Sequence, residues 1–302
     1  MERLIFNRNH TPKSIVPIIG EILDNNYIPN VLVGDAMLGI MGAFIFPRCL
    51  QFVVPDDKID VAITTLIAAG FPRCDDSRGC RRYSTHFPLA TAHFHLWDDE
   101  EAGTTNPGKL CIFQKSDMLP SFPSLPFYIS DCNDPYFMTI TDDRLPDAPA
   151  DEDLFGRYPM DTYPVRIPVP VKACEAAMLL YCRDQELQLN NAAWEVWLIL
   201  LGKYVSQSSL YQIGRTVDKD GNEENPYLGY WNEVKGSQNR GWPRSLAKLR
   251  LKVLREQELS ILAGVEIPEK EEDTEEDTEE EDQQESPVTP VRDYESFEKW
   301  VM

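Results

Sequence analysis

The chain has 302 residues, of which 42% are hydrophobic, enough for a folded body with a substantial apolar core. Fifty acidic residues against twenty-nine Lys and Arg give a net charge of −21, which argues against general nucleic-acid binding because such binding depends on basic side chains that neutralise phosphates. The start of the chain is too charged for a secretory signal, and no stretch reaches the roughly 18 apolar residues of a membrane helix. We therefore expect a cytoplasmic protein that does not bind membranes, with the nucleus as the alternative compartment.

The first elements are predicted to alternate between helix and strand. Thr11 followed by Pro12 indicates a helix start, because Thr is a favoured cap and Pro is favoured at the first helical position. Residues 30–35 and 50–55 are apolar and short, which predicts two buried strands. A short helix is expected between them at residues 36–42.

The next segment begins with a helix and then turns to strands. Asp56 or Asp57 is expected to cap this helix, which ends near Gly70. Two apolar runs at residues 86–97 and 109–114 predict strands separated by a turn-rich segment.

The C-terminal half is predicted to be helical. Residues 116–170 are rich in Pro and Asp and form a wrapping segment, after which two apolar helices are expected at 169–187 and 190–207. A basic amphipathic helix is predicted at 242–262.

An acidic tail follows. Residues 266 to 285 contain thirteen Asp or Glu and one Lys, so this stretch supplies −12 of the net −21 and cannot bury enough apolar surface to fold. The last residues differ, since Tyr294, Phe297 and Trp300 would share one helical face. We expect these aromatics to dock on a protein partner or on the body of this chain, the alternative being a frayed terminus.

The stretch "VLVGDAMLGIMGAFIFPRCLQFVVPDD", residues 31 to 57, resembles the start of the nucleotidyltransferase fold. In that family a strand ends in Gly-Gly or Gly-Ser, a short helix follows, and a second strand carries Asp-x-Asp. Gly34 and Asp35 stand at the Gly-Gly position, Gly42 ends the short helix, and the two carboxylate positions fall on Cys49 and Gln51.

Residues 141 to 184 add a second resemblance, to uncharacterised fungal proteins described as nucleotidyltransferase-like, through their Arg-Leu-Pro, Tyr-Pro-Val-Arg-Ile-Pro and Cys-Glu-Ala elements. Together the resemblances imply a nucleotidyltransferase-like mixed sheet with flanking helices. With the helical C-terminal half and the disordered acidic tail predicted above, the expected fold class is α+β. The corresponding boundaries are 1–145 for the core, 146–265 for the wrapping segment and helical subdomain, 266–291 for the linker and 292–302 for the docking peptide.

The missing carboxylates argue against metal-dependent nucleotidyl transfer. Mg²⁺ prefers oxygen ligands, and the thiol of Cys49 and the amide of Gln51 cannot supply paired negative oxygens. No cofactor is expected, and Mg-nucleotide binding is not expected either. Cys49 beside Arg48 is a candidate nucleophile, although a buried structural thiol is the favoured interpretation.

His93 and His95 are candidate catalytic residues, since they lie on one face of a predicted strand. In the nucleotidyltransferase layout that the chain resembles, this strand would carry a third carboxylate. With a third ligand such as His86 or Asp98 they could bind zinc, but no ligand with suitable spacing is evident, and a polar strand face is favoured. The seven cysteines include no Cys-x-x-Cys and have no His at zinc-finger spacing, which favours reduced thiols over a metal site.

Two further residues complete a predicted ligand-binding cleft formed by Gly34, Asp35, Arg48, Gln51, Arg166 and Glu175. Arg166 can bind an anion or, as the favoured alternative, tie down the Pro-rich segment through carbonyl hydrogen bonds. Glu175 lies in an apolar helix and requires a partner or a cleft.

Two functional hypotheses follow. The first is a nucleotidyltransferase-fold protein without catalysis, which binds a nucleotide, another small molecule or a protein partner. The second is an active transferase or ligase of fungal specialised metabolism, which uses non-metal residues in the same cleft for aminoacyl or nucleotidyl transfer. If the protein is an enzyme, we expect four side chains to meet in one open pocket: His93, His95, Arg166 and Glu175. If it is an interaction protein, we expect them to be dispersed.

Overall fold

The structure is a computed structural model, and the residues it describes are 5–7, 10–47, 49–75, 80, 90–96, 108–129, 133–151, 154–186, 192–205 and 210. This part of the chain is a mixed α+β protein with a mixed sheet and flanking helices, which confirms the fold class at that level. The amphipathic helix predicted at 242–262, the acidic linker and the docking aromatics lie outside the described residues. Each helix in the described part is too short or too polar to cross a bilayer.

Helices and strands alternate in the N-terminal half, and helices end the described part. The strands are β1 (Val31–Val33), β2 (Leu50–Val54), β3 (Ala92–His95), β4 (Lys109–Gln114), β5 (Phe137–Thr139) and β6 (Arg166–Pro168). The helices are α1 (Pro12–Asn25), α2 (Gly34–Ile40), α3 (Ile59–Ala68), α4 (Lys115–Met118), α5 (Pro170–Glu186) and α6 (Ala192–Leu200). A π-helical turn at Leu201–Val205 continues α6.

The main sheet has the strand order β1-β2-β4-β3. Its central pair, β2 and β4, is parallel, and both outer pairs are antiparallel. A second, two-stranded sheet pairs β5 with β6 in antiparallel register. The chain therefore returns from β2 to β4 through α3 and β3, and β3 lies at one edge of the main sheet.

The first helix begins as predicted, and the cap that follows its C-terminal end contains a non-glycine residue in a left-handed conformation. The Thr11 side chain accepts a hydrogen bond from the Ser14 N–H at 3.2 Å, and Pro12 occupies the first turn. At the other end, the Tyr27 N–H donates to the Asp24 carbonyl at 2.9 Å and the Ile28 N–H to the Leu23 carbonyl at 3.0 Å. These two bonds form a Schellman cap, in which the left-handed position is usually Gly but here is Tyr27, with φ of 57°.

The capping role predicted for Asp56 or Asp57 is wrong. A 3₁₀ turn at Asp56–Lys58 precedes α3, and no side chain caps that helix. Asp56 instead accepts a hydrogen bond from the Ser116 N–H at 3.0 Å, at the start of α4. Since Ser116 follows β4 directly, this bond joins the ends of the two parallel strands.

The two C-terminal helices pack against each other through a buried polar pair. Asp184 of α5 accepts from the indole N–H of Trp194 in α6 at 2.5 Å and from Arg183 Nε at 2.7 Å. Arg183 also donates to the Asp117 carbonyl in α4 at 2.7 Å, which fixes the helical half to the end of β4. Both Asp184 and Trp194 are buried, so these bonds satisfy polar groups that would otherwise be costly inside the core.

A buried ion pair joins the two halves of the chain at the other edge of the sheet. Arg166 in β6 donates to Asp24 Oδ1 at 2.6 Å, to the Asn30 carbonyl at 2.9 Å and to the Phe127 carbonyl. Asp24 also accepts from the Tyr163 hydroxyl at 2.6 Å. Burial and the bond to Asp24 raise the pKa of Tyr163, so its hydroxyl stays protonated and donates the hydrogen bond to Asp24. The structural interpretation of Arg166, carbonyl bonds that hold the Pro-rich segment, agrees with these contacts.

We expect Asp24→Ala to lower the free energy of unfolding by about 3–5 kcal/mol, because it leaves the Arg166 guanidinium buried without its carboxylate partner. Urea denaturation followed by circular dichroism measures this loss. Asp147→Ala is the matched control, since it removes an exposed pair with Arg157 and should cost under about 1 kcal/mol. Equal effects of the two substitutions would show that the buried pair does not hold the two halves together.

Candidate functional site

One row of polar side chains crosses three strands of the main sheet. Gln51 in β2 pairs with Cys111 in β4, and Cys111 pairs with His93 in β3. Paired residues project to the same face of a sheet, so the three side chains are neighbours. Cys49 precedes Gln51 by two positions and shares this face.

This face is interior to the protein. Gln51, Cys111 and His93 are each no more than 3% exposed, and Asp35, at the start of α2, is also buried. Four of the predicted cleft and catalytic residues, Gly34, Asp35, Cys49 and Gln51, therefore lie in one region, but they lie under cover. Arg48 lies outside the described residues.

The Gln51 side chain occupies the space directly over Gly34. A Cβ on Gly34 would lie 2.5 Å from the Gln51 Cδ and closer still to its amide oxygen. Gly34 also has φ of +77°, a backbone conformation that favours Gly. The close backbone approach that Gly34 permits is thus used by a side chain of the same chain.

Cys49 is held as a neutral thiol. Its hydrogen bond with Cys111 and its burial raise the pKa of the Cys49 thiol well above the ordinary value, and the Asp35 charge acts in the same direction. Lys109 lowers this pKa without reversing the shift. Since the thiolate is the nucleophile, this environment does not favour nucleophilic catalysis by Cys49.

From the sequence, the third carboxylate position was assigned to the strand that contains His93. Cys111 was not singled out. The strand beside β2 is β4, and β3 lies one position further out. Cys111 therefore stands next to Gln51, and its thiol bonds to Cys49. No residue pattern in 109–114 distinguished Cys111, because only the strand order places it there.

Arg166 lies apart from Gly34 and Gln51, and Glu175 is paired within its own helix. Arg166 binds the carbonyl of Asn30, just before β1, whereas Gly34 follows the end of β1. Glu175 in α5 pairs with Lys172 at 2.7 Å, one turn earlier on the same helix. Both side chains are engaged in structural contacts.

A second cluster forms at the outer edge of the sheet. The ligand atoms of Cys74, Cys80, His93 and His95 all lie within 4.8 Å of one another. The Cys80 Sγ is 3.4 Å from the His95 Nε2, and the two imidazole rings stack with centroids 5.4 Å apart. The third ligands considered from the sequence, His86 and Asp98, lie outside the described residues.

The edge cluster arises because the segment after α3 runs along β3. The Cys74 N–H donates to the His93 carbonyl at 3.0 Å, and the His95 N–H donates to the Pro72 carbonyl at 3.0 Å. Arg73 therefore faces Phe94 across an antiparallel bridge, which puts Cys74 beside His93 on the same face. Phe94 projects to the opposite face, where it is fully buried against Phe71.

His93 is neutral in this setting. Burial, together with smaller contributions from the nearby His95 and Lys109, lowers the pKa of His93 to about 4. A neutral imidazole offers a nitrogen lone pair, which is the form in which His binds metals. The edge cluster thus presents two thiols and two imidazoles, at least one of them already in its ligating form.

Comparison with known proteins gives no relative, since no family model, curated protein or solved structure matches this chain. What the two clusters do must therefore be argued from their own chemistry.

A left-handed backbone costs a non-Gly residue about 1–2 kcal/mol. We expect Gly34→Ala to destabilise the protein by more than this, because the Cβ of the alanine also overlaps Gln51. In a Gln51→Ala background the same change should cost only that backbone penalty. A double-mutant cycle in urea measures the difference.

Gly70→Ala is the control for this cycle. Gly70 has φ of +91°, but a Cβ there would meet only Ile5 at 3.6 Å. Its cost should be the same in the presence and absence of Gln51. A Gly34→Ala cost that is also independent of Gln51 would contradict the close packing of these two residues.

Proposed function

We propose that this protein is a non-catalytic interaction protein built on a nucleotidyltransferase-like core. The observation that carries the proposal is the position of Gln51, whose side chain fills the space over Gly34 where an active member would admit the triphosphate. A nucleotide would have to displace a buried side chain from the middle of the sheet.

The order of elements supports the nucleotidyltransferase-like assignment. Strand β1 ends at Val33, and the short helix α2 begins at Gly34. Cys49 directly precedes the second strand, β2, and Gln51 lies within it. A third strand, β4, lies parallel to β2 and places Cys111 next to both residues. The three positions together correspond to those where the family carries carboxylates.

The donor atoms at these positions argue against Mg²⁺ chemistry. Two thiols and one amide replace three carboxylates, while Mg²⁺ takes hard oxygen ligands and holds the attacking and leaving oxygens in the two-metal mechanism. Burial and the hydrogen bond with Cys111 also raise the pKa of Cys49, so this thiol supplies no negative charge to attract a cation.

The alternative of an active transferase depends on convergence of four residues, and their arrangement does not favour it. His93 and His95 lie on β3, at one edge of the sheet. Arg166 is bound to Asp24 and to carbonyls near the start of β1, at the opposite edge, and Glu175 is paired on α5. Such dispersion is expected of an interaction protein, whereas an enzyme that used these four residues would bring them into one pocket.

Three exposed aromatic residues, called the aromatic group below, suggest where a partner binds: Tyr27, Phe127 and Tyr128. Tyr27 and Tyr128 are 78% and 76% exposed, and Phe127 is 45% exposed. Arg166 ties the two segments together, since it binds both Asp24 and the Phe127 carbonyl. Exposed aromatics on a rigid base are typical of interaction sites, and Tyr27 keeps its position despite a backbone conformation that Gly would adopt more easily.

Titration calorimetry with ATP, GTP, CTP and UTP, each with and without Mg²⁺, tests the loss of nucleotide chemistry. We expect no Mg²⁺-dependent saturable binding to the full chain, because the ligand positions hold Cys49, Gln51 and Cys111. The Gln51→Ala variant serves as a comparison, since it opens the space over Gly34 without adding a metal ligand. Saturable binding that requires Mg²⁺ in the unaltered protein would overturn the proposal.

Tyr27→Gly tests the interaction surface. The change should raise the free energy of unfolding by up to about 1 kcal/mol, because Gly is the favoured residue at this position of the cap. The more stable variant should nevertheless recover fewer partner proteins when the tagged full chain is purified from its source cells and quantified by mass spectrometry.

Met160→Ser is the matched control for the partner experiment, since Met160 is also 76% exposed and apolar. It should leave the recovered proteins unchanged. Equal recovery with Tyr27→Gly and with the unaltered chain would remove this aromatic group as the binding surface.

A further inference from the structure

We propose that Cys74, Cys80, His93 and His95 bind a zinc ion in a structural Cys₂His₂ site. The four residues form the edge cluster described above, and their ligand atoms lie within 4.8 Å of one another. The proposal is independent of the proposed function, since it concerns the edge of the sheet and not the face over Gly34.

The spacing of the ligand atoms suits a tetrahedral centre. With Zn–S near 2.3 Å and Zn–N near 2.0–2.1 Å, a tetrahedron puts a sulfur and a nitrogen about 3.6 Å apart. The Cys80 Sγ and the His95 Nε2 are separated by 3.4 Å. The other pairs of ligand atoms lie within 4.8 Å, at most about 1.2 Å beyond this separation.

The donor set selects zinc over the hard cations. Thiolate and imidazole are ligands for Zn²⁺, whereas Mg²⁺ and Ca²⁺ take oxygen. Two thiolates balance the charge of the ion, so the centre is neutral and can lie beside Lys109, which pairs with His95 across the sheet. Four protein ligands also fill the tetrahedron, which is the arrangement of a structural site and not of a catalytic one.

The position of the site explains what zinc would stabilise. His93 and His95 lie on β3, the edge strand, and Cys74 lies on the segment that bonds to its outer side. Cys80 follows six residues after Cys74, so a shared ion links both cysteines to the edge strand. An edge strand otherwise offers unpaired backbone groups to other chains, and covering it protects the sheet from such pairing.

A competing use of the two sulfurs is a disulfide between Cys74 and Cys80, which would remove both thiolates from the cluster. Neither forms a disulfide in the structure. Mass measurement of the purified full chain after alkylation separates the two cases, because a disulfide resists alkylation until it is reduced and bound zinc protects only until it is chelated.

The first experiment measures metal in the full-length protein, purified without chelators and reconstituted with Zn²⁺ under reducing conditions. Plasma mass spectrometry should give about one zinc per chain. Substitution with Co²⁺ should give the intense visible bands of a tetrahedral ion together with a thiolate-to-cobalt charge-transfer band. A chelator should lower the melting temperature, since bound metal stabilises the folded state.

Variants of one ligand decide whether this cluster is the site. Cys80→Ala should weaken zinc binding by more than about 100-fold, because even the loss of an outer partner of a metal ligand costs 10–100-fold. Cys80→His keeps a fourth donor and should retain zinc, with a weaker charge-transfer band in the cobalt form. Cys174→Ala, which removes a buried thiol from α5, is the control and should bind zinc as the unaltered chain does.

The outcomes are separable even if a variant folds poorly, since the metal content and cobalt spectrum of the unaltered chain are measured first. Absence of zinc and of a thiolate-to-cobalt band in that chain would overturn the proposal. So would zinc content that is the same in the Cys80→Ala variant, or a Cys74–Cys80 disulfide that persists in reducing cytosolic preparations.

Discussion

The contact between Arg166 and Asp24 is the constraint on which the arrangement of this protein depends. One guanidinium joins the end of α1, the carbonyl before β1 and the loop at Phe127, and both members of the pair are nearly excluded from solvent. A buried charge without its partner costs several kcal/mol. Separation of the N-terminal and C-terminal halves near β1 would therefore be energetically unfavourable. Through the Phe127 carbonyl, Arg166 also ties the Pro-rich segment to the end of α1.

The middle of the sheet is interior, where polar groups are costly unless they are hydrogen-bonded. Carboxylates at the positions of Cys49, Gln51 and Cys111 would repel each other in such a place unless cations neutralised them. Thiols and an amide tolerate burial at much lower cost, and the thiols bond to one another. The absence of acidic side chains at these positions and the Gln51 side chain over Gly34 are therefore consistent with each other, since both belong to a buried region.

The same row of side chains ends at the opposite edge, where its character differs. His93 continues the line of Gln51 and Cys111, but it also meets Cys74 across the outermost pairing of the sheet. Zinc held there would occupy the edge of the fold and would not take part in the chemistry of the centre. The proposed interaction function and the proposed metal site thus use different regions, one at the aromatic group near Arg166 and one at β3.

Local patterns in the sequence determined the elements, and tertiary structure decided how their side chains meet. Thr11 and Pro12 predicted the start of α1, and apolar runs predicted β1, β2 and β4, because caps and strand periodicity depend on neighbouring residues. The position of Cys111 beside Gln51 followed only from the strand order. Likewise, His93 and His95 shared a face by their spacing, but their partner Cys74 lies nineteen residues before His93 and reaches it through backbone pairing at the sheet edge. Such pairing is set by the packing of the whole sheet, which no local spacing encodes.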